Sequence, residues 1–382
     1  LFRSSFGSAY LYMCDNNIMF STILDIIYKI AYLLGVKTKF IELGICLNII
    51  AIDVSIFYTY RFIKNIHIKQ SKLLMPLLFF SSPLIFYIPI FYTDTLTLPF
   101  IIIPLYYFYK YLEEEKVKNI IIIGLLIGIG SLLKPTVSIL GIAILLFLII
   151  KRPKIKYGIF LSIMILLWMG PLVGQKLFIN HFFDKTSLEL YRIPTIHYIS
   201  IGLERNGEYS EERFKEINKE NGQDYKINIS KQHIKDRLKE MKEKKEFISF
   251  YNRKISYTWT DGTFYSFEKL RREPIHEKYT KYIYSNDNFD NFYWTISNSE
   301  WIMILILMIN GMVFRKYLPK KIQDLSLIIN ITIFGLFLFL LLWETRSRYL
   351  VNYVPLFIVN ASIGLLAVSN YWKRKKDGSV KE

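Results

Sequence analysis

Residues 73–109 read LLMPLLFFSSPLIFYIPIFYTDTLTLPFIIIPLYYFY, two apolar runs parted by Tyr92-Thr93-Asp94-Thr95. Each run approaches the roughly 20 residues that a helix needs to cross hydrocarbon. A carboxylate at the mouth of a bilayer is costly unless a partner or a wet cavity stabilises it, which makes Asp94 a candidate functional group. Taken alone, it reads first as a cap for the helix that follows, a position Asp and Thr favour.

The rest of the chain extends the same pattern. Of 382 residues, 52% are hydrophobic and 16% aromatic, and the apolar residues gather in span-length stretches. The expected fold class is an all-α polytopic membrane protein with about nine transmembrane helices. The spans fall near 41–60, 74–91, 95–109, 118–133, 136–150, 157–175, 300–314, 322–343 and 349–370. A net charge of +17 invites a nucleic-acid reading. However, no motif for one is present, and the excess sits in short loops and the tail, where basic residues mark a cytoplasmic side. The clusters are Arg61, Lys64, Lys69 and Lys72; Lys110, Lys116 and Lys118, beside Glu113, Glu114 and Glu115; Lys151, Arg152, Lys154 and Lys156; Arg315, Lys316, Lys320 and Lys321; and Lys373 to Lys376. With all five on one side, nine spans alternate without contradiction.

Four regions follow from this parity: an N-terminal membrane region (1–175), an external loop domain (176–299), C-terminal membrane helices (300–372) and a cytoplasmic basic tail (373–382). Residues 18–36 are expected to lie along the external interface as a helix, with Asp25 and Lys29 paired at i, i+4; a tenth span is the alternative. Lys134-Pro135 should interrupt the apolar stretch 118–150, since proline cannot continue a helix. Residues 203–247 are charge-dense and should hold two solvated helices. Trp259-Thr260-Asp261-Gly262-Thr263 reads as a turn. Cys14 and Cys46 form neither a disulfide framework nor a metal cluster, and the five histidines show no ligand spacing.

Four polar sites share the outer face in this topology: Tyr92–Thr95, Lys134-Pro135-Thr136, the long loop, and Glu344-Thr345-Arg346-Ser347-Arg348-Tyr349. Guanidinium forks match phosphate oxygens, and Lys134 adds a further cation. One acid among several cations suits transfer chemistry on a lipid phosphate: the cations stabilise the departing phosphate, and a carboxylate accepts the proton of the attacking hydroxyl. Each piece also has a plainer reading. Arg348 can snorkel to headgroups, Lys134-Pro135 can be a kink alone, and Trp259 with Asp261 can be a packed turn. Asp53, inside a span, reads as the partner of a polar group on a neighbouring helix. Asp184, Asp224, Asp287 and Asp290 read as solvated loop charges.

At these residues the chain resembles the polytopic glycosyltransferases of the C-type fold, close to the protein mannosyltransferases and the aminoarabinose transferases of lipid A. It is most similar within that group to integral membrane glycosyltransferases of Gram-positive bacteria. The matching points are Asn16-Asn17, Ser82-Pro83 leading to Tyr92-Thr93-Asp94-Thr95, Leu133-Lys134-Pro135-Thr136, and Glu344-Thr345-Arg346-Ser347-Arg348-Tyr349-Leu350. The resemblance implies a sugar carried on a polyprenyl phosphate and moved, with inversion, to a cell-wall polymer, glycolipid or protein outside the cytoplasmic membrane. It makes Asp94 the second acidic site. Lys134, Arg346 and Arg348 become donor-phosphate contacts, and Tyr92, Tyr349, Glu344, Trp259 and Asp261 line the substrate. The family's principal catalytic Asp follows a first span that is expected upstream of Leu1, which leaves only Asp15 in this chain. A truncated, inactive copy is therefore one alternative, and a transporter or flippase of lipid intermediates is the other. No metal or other cofactor is expected.

Overall fold

The computed structural model describes residues 10–36, 40–66, 81–151, 155–217, 222–272 and 288–377. Several expectations lie outside the described residues: the first part of the 74–91 span, Lys69, Lys72, Arg152, Lys154, His67, His276, Asp287, the side chains of Asn16 and Asp290, and the last residues of the tail. The described residues form helices and no strand. They fall into two compact units, one of residues 41–169, 262–335 and 348–382, the other of residues 1–40, 170–261 and 336–347. The expected loop domain, 176–299, is thus divided after Asp261.

Among the described residues five helices are long and apolar enough to cross a membrane: Phe40–Ile66, Ile155–Phe182, Asn291–Val313, Lys320–Leu342 and Ser347–Lys376. The molecule is a multi-pass integral membrane protein. In chain order the helices that matter below are α1 (Ile18–Leu33), α2 (Phe40–Ile66), α3 (Ser82–Phe86), α4 (Thr93–Leu96), α5 (Pro99–Glu114), α6 (Val117–Leu133), α7 (Ser138–Lys151) and α8 (Ile155–Phe182). There follow α9 (Lys185–Tyr191), α10 (Thr195–Ile201), α11 (Glu211–Ile217), α12 (Gln223–Glu243), α13 (Phe247–Trp259), α14 (Ser266–Leu270), α15 (Asn288–Val313), α16 (Lys320–Leu342) and α17 (Val354–Lys376).

In the first unit α5 packs on α6 and α15 on α17. The second contact is close because Gly311 faces Gly364, and a Cβ at Gly364 would land on the Leu307 carbonyl. Small residues let membrane helices approach in this way. Residues 81–91, expected as the end of a straight span, instead form the five-residue α3 and a turn. Pro83 starts that helix and Pro89 cannot continue one. The break at Lys134 forms as expected: Lys134 is extended (φ −152°, ψ 112°) and Pro135–Val137 make a single tight turn before α7.

The basic loops gather at one end of this unit. Arg61 and Lys110 share the Tyr106 ring, at 5.5 and 5.2 Å. Glu113 pairs with Lys321, and Glu115 with Lys156 at 2.5 Å. Arg374 lies over Tyr317 at 5.7 Å, and Asn370 donates to the Tyr317 carbonyl. Members of all five basic clusters are therefore linked at a common end.

In the second unit α1 carries the expected Lys29–Asp25 pair at 2.6 Å. The charge-dense stretch yields α11 and α12, and Leu203, Met241 and Phe250 form a small core that joins α12 and α13 to the segment after α10. Asp184, read as a solvated charge, caps α9 by accepting from Ser187 N at 2.7 Å.

Candidate functional site

Tyr92 is extended, and α4 is one turn that ends before Pro99 opens α5. That short turn leaves Asp94 free of capping duty, since α4 has no side-chain cap bond. Its carboxylate is buried, 1% exposed, and Oδ1 accepts from Lys134 Nζ at 2.6 Å. Lys134, 8% exposed, also donates to Asn352 Oδ1 at 3.3 Å. Asn352 belongs to the tight helical turn Ser347–Tyr353 that leads into α17, and the neighbouring Tyr353 hydroxyl donates to the Thr136 carbonyl at 2.6 Å. The break after α6 is thus fastened to the start of α17 by two adjacent side chains.

Arg348 sits between two rings, 5.7 Å from the Tyr92 centroid and 5.1 Å from that of Tyr349. Lys134 lies 5.7 Å from the Tyr349 ring and Lys269 5.4 Å from the Tyr92 ring. Cation–π contacts of this kind hold a charge without neutralising it. Among the described residues Asp94 is the carboxylate that faces Lys134 and Arg348, one negative charge against two positive.

Burial would raise the Asp94 pKa, but Lys134 and Arg348 outweigh it and hold the carboxyl below the usual range. Burial acts on Lys134 in the other direction, pushing its ammonium down against the pull of Asp94. The 2.6 Å contact and the second acceptor on Asn352 favour the charged pair. Asp94 Oδ2 is buried and accepts no hydrogen bond. A buried carboxylate oxygen in that condition is costly and can receive a donor from a ligand.

The cluster occupies the opposite helix ends from the basic loops. Asp94 precedes α5, whose far end carries Lys110 and Glu113. Lys134 follows α6, whose near end carries Lys116 and Lys118, and Arg348 precedes α17, which ends in Lys373–Lys376.

Of the residues singled out in the sequence, the structure brings together Asp94, Lys134, Arg348, Tyr92 and Tyr349. The remaining candidates belong to the second unit. There Asp15 pairs with Arg192 at 2.7 Å, and Asp261 accepts from the Ser347 hydroxyl at 2.6 Å. Trp259 packs on Phe337 with centroids 6.1 Å apart. Glu344 is buried, 4.0 Å from Arg346, which lies over the Tyr209 ring at 5.7 Å. Backbone bonds from Glu344 N to Tyr198 O (3.0 Å) and Thr345 N to Gly207 O (2.7 Å) lace this segment to the loop helices.

Sequence reasoning passed over four polar groups in the packed interior, Glu300 half-buried and the other three buried. Asn352 completes the Lys134 contact. Asn48, inside α2, donates to the carbonyls of Tyr87 and Ile88 at 2.7 and 2.9 Å. Glu300 accepts from Ser82 N and Oγ, both at 3.1 Å, and so anchors α3. Lys254 gives its three protons to the carbonyls of Gly202, Leu341 and Trp343 at 2.5, 2.9 and 2.8 Å. Asn48 and Asn352 carried a usable signal, an amide within an apolar run. Among the described residues no three His, Cys, Asp or Glu side chains gather as a metal site requires.

A family model matches residues 6–368, almost the whole chain. The chain belongs to the conserved hypothetical integral membrane protein family (CHIM_prot). That membership agrees with the five long apolar helices. No curated protein and no solved structure matches the chain.

Proposed function

We propose that this CHIM_prot member is a membrane glycosyltransferase that moves a sugar from a polyprenyl-phosphate donor to an acceptor at the external face of the cytoplasmic membrane. The acceptor class is a cell-wall polymer, glycolipid or protein, and the bilayer is crossed nine times. The observation that carries the reading is the Asp94 carboxylate, buried between Lys134 and Arg348 with Oδ2 unengaged. A phosphate answers the cationic surplus, a sugar hydroxyl answers Oδ2, and Tyr92 and Tyr349 offer ring faces to the sugar or the prenyl chain.

In the transfer, the acceptor oxygen bonds to the anomeric carbon from the face opposite the phosphate. The bond from that carbon to the phosphate oxygen breaks, and polyprenyl phosphate departs with the electron pair. The acceptor proton passes to a carboxylate. Asp94, held below the usual carboxylate range, is a poor base and suits hydroxyl binding and the orientation of Lys134. The resemblance to C-type glycosyltransferases puts the accepting carboxylate in the first external loop.

The test is incubation of the full-length protein, in liposomes, with a panel of polyprenyl-phosphate sugars. One sugar should be consumed, with free polyprenyl phosphate as co-product. Arg348→Lys, which keeps the charge but loses the fork, should lower kcat by about 10²-fold. Movement of the lipid across the bilayer without sugar transfer would replace this reading with a flippase. A donor panel left untouched by an intact, folded protein would remove it.

A further inference from the structure

A small cavity lies in the first unit where the start of α3, residues 262–264, α15 and the start of α17 meet. Phe264, Trp301 and Phe357 give it an aromatic lining, with successive ring centroids 5.0 and 5.2 Å apart. Its polar side chains are Ser81, Ser297 and Glu300. Each brings a buried oxygen that has no hydrogen-bond partner: Ser81 Oγ, Ser297 Oγ and Glu300 Oε1. Ser297 and Glu300 are three residues apart and share one face of α15. Ser81 stands at the N-cap of α3, where a serine hydroxyl ordinarily accepts from the first N–H groups of the helix. Here it makes no cap bond, and Glu300 Oε2 accepts from Ser82 N instead, at 3.1 Å. Ser81 Oγ lies near the carboxylate without completing a hydrogen bond to it. On the far side Gly262 N donates to Asn298 Oδ1 at 3.0 Å, which presses this turn against α15.

Glu300 lies within the span Asn291–Val313, about 14 Å from its first residue at 1.5 Å per residue. Among the described residues no cation pairs with it. A carboxylate at that depth calls for a partner charge. The cavity leaves about 10 Å³ for the centre of a guest, room for one of the size of water. The lining decides its class. A carboxylate excludes an anion, and a water would satisfy the three oxygens but leave the charge unbalanced. Oxygens without nitrogen or sulfur suit a hard cation. Magnesium keeps several waters and calcium takes roughly six to eight oxygens, more than this space admits. A dehydrated sodium ion fits the volume of one water, and a single carboxylate neutralises it.

We propose that Glu300 Oε1, Ser81 Oγ and Ser297 Oγ bind a small monovalent cation of the size of sodium, which fastens α3 to α15. The next helix after α3 is α4, which carries Asp94, so the cation braces the segment that leads into the Asp94 cluster. This inference is independent of the transferase reading.

Thermal unfolding of the full chain in detergent tests it, with sodium chloride exchanged for choline chloride at constant ionic strength and pH 8. The wild-type Tm should rise saturably by about 3 °C as sodium replaces choline, because a ligand of the folded state stabilises it by mass action. Ser297→Ala removes one ligand together with an unpaired hydroxyl. It should match the wild type in choline yet need at least about threefold more sodium for the same rise. Glu300→Gln keeps an oxygen for Ser82 but loses the charge, and should lose the sodium response. Sodium NMR reads binding on the wild type alone: the line broadened by the protein should sharpen as lithium displaces sodium. A wild-type Tm equal in sodium and choline would assign the cavity to one water beside a neutral carboxyl. A full sodium response in a folded Glu300→Gln protein would place the cation elsewhere. Either result overturns the proposal.

Discussion

Asp94 and Lys134 are far more consequential as a pair than either is alone. Removing one partner of a buried ion pair strands the other charge, at about 3–5 kcal/mol, whereas replacing both is often nearly neutral. Lys134→Met should therefore destabilise the protein by about that amount, and Asp94→Asn combined with Lys134→Met should recover most of the loss. Denaturant unfolding in a fixed detergent measures both. The same pair makes a pH prediction. Asp94 is held below the ordinary carboxylate value, so its contribution is fully present above the unfolded pKa and is lost only as pH falls through the lower folded one. The stability difference between wild type and the double variant should be constant from pH 8 to pH 5. A difference that shrinks across that window would mean that a member of the pair titrates within it, through a raised carboxyl or a Lys134 ammonium pushed down into the window. Asp94 and Lys134 were legible in the sequence as polar residues on one membrane face. Their direct bond was not, because forty residues separate them and nothing local encodes a contact made by packing α4 beside the α6 break.

At the scale of elements, α2, α8 and α15 run well beyond their apolar stretches. The apolar runs and proline breaks did place the helices expected at 118–133, 136–150 and 322–343 to within two residues, because hydrophobic length and proline geometry are local properties. They failed at residues 81–91, where two prolines outweigh apolar character. They also passed over the groups that fasten elements together, since a lysine that serves three carbonyls looks like any other lysine in a charge-dense loop. Removing those fastenings should be expensive. Lys254→Met would strand the carbonyls of Gly202, Leu341 and Trp343, each costing about 1–3 kcal/mol when buried and unpaired. Thermal unfolding should show a loss larger than that for Lys244→Met, whose partner Glu240 is exposed. His197, on α10, gives this unit a pH dependence. Burial, with the nearby His233 adding to it, pushes its imidazole down to about 4, and neither ring nitrogen has a hydrogen-bond partner. A lowered histidine contributes stability above its usual value near 6.5 and loses it as pH falls towards 4, by up to about 1.4 kcal/mol per pH unit. The wild type should lose thermal stability between pH 6.5 and 4.5, and His197→Phe should lose distinctly less. Equal acid sensitivity in the two proteins would assign the effect to the Arg213, Glu216 and His233 cluster beside it.

For the whole molecule, the charge of +17 is distributed by side rather than by partner. Glu113–Lys321, Glu115–Lys156, the Tyr106 ring shared by Arg61 and Lys110, and Arg374 over Tyr317 draw members of all five basic clusters to a common end. Asp94, Lys134 and Arg348 take the opposite ends of α5, α6 and α17. The positive-inside rule predicts that the basic end lies in the cytoplasm and the carboxylate–cation cluster on the far side, as the proposed sugar transfer requires. The proposed nine-span parity predicts an external location for residues 176–299. Thiol labelling separates these placements. With Cys14 and Cys46 replaced by Ser, Lys118→Cys and Lys375→Cys, both at exposed positions of the basic end, should resist a membrane-impermeant maleimide until the cells are permeabilised. Lys235→Cys, exposed on α12, should react in intact cells. Reaction of Lys118→Cys and Lys375→Cys from outside would invert the orientation and turn the Asp94 cluster towards the cytoplasm. Labelling of those two from opposite sides would break the parity itself, because α5, α6 and α17 could not then share one basic end.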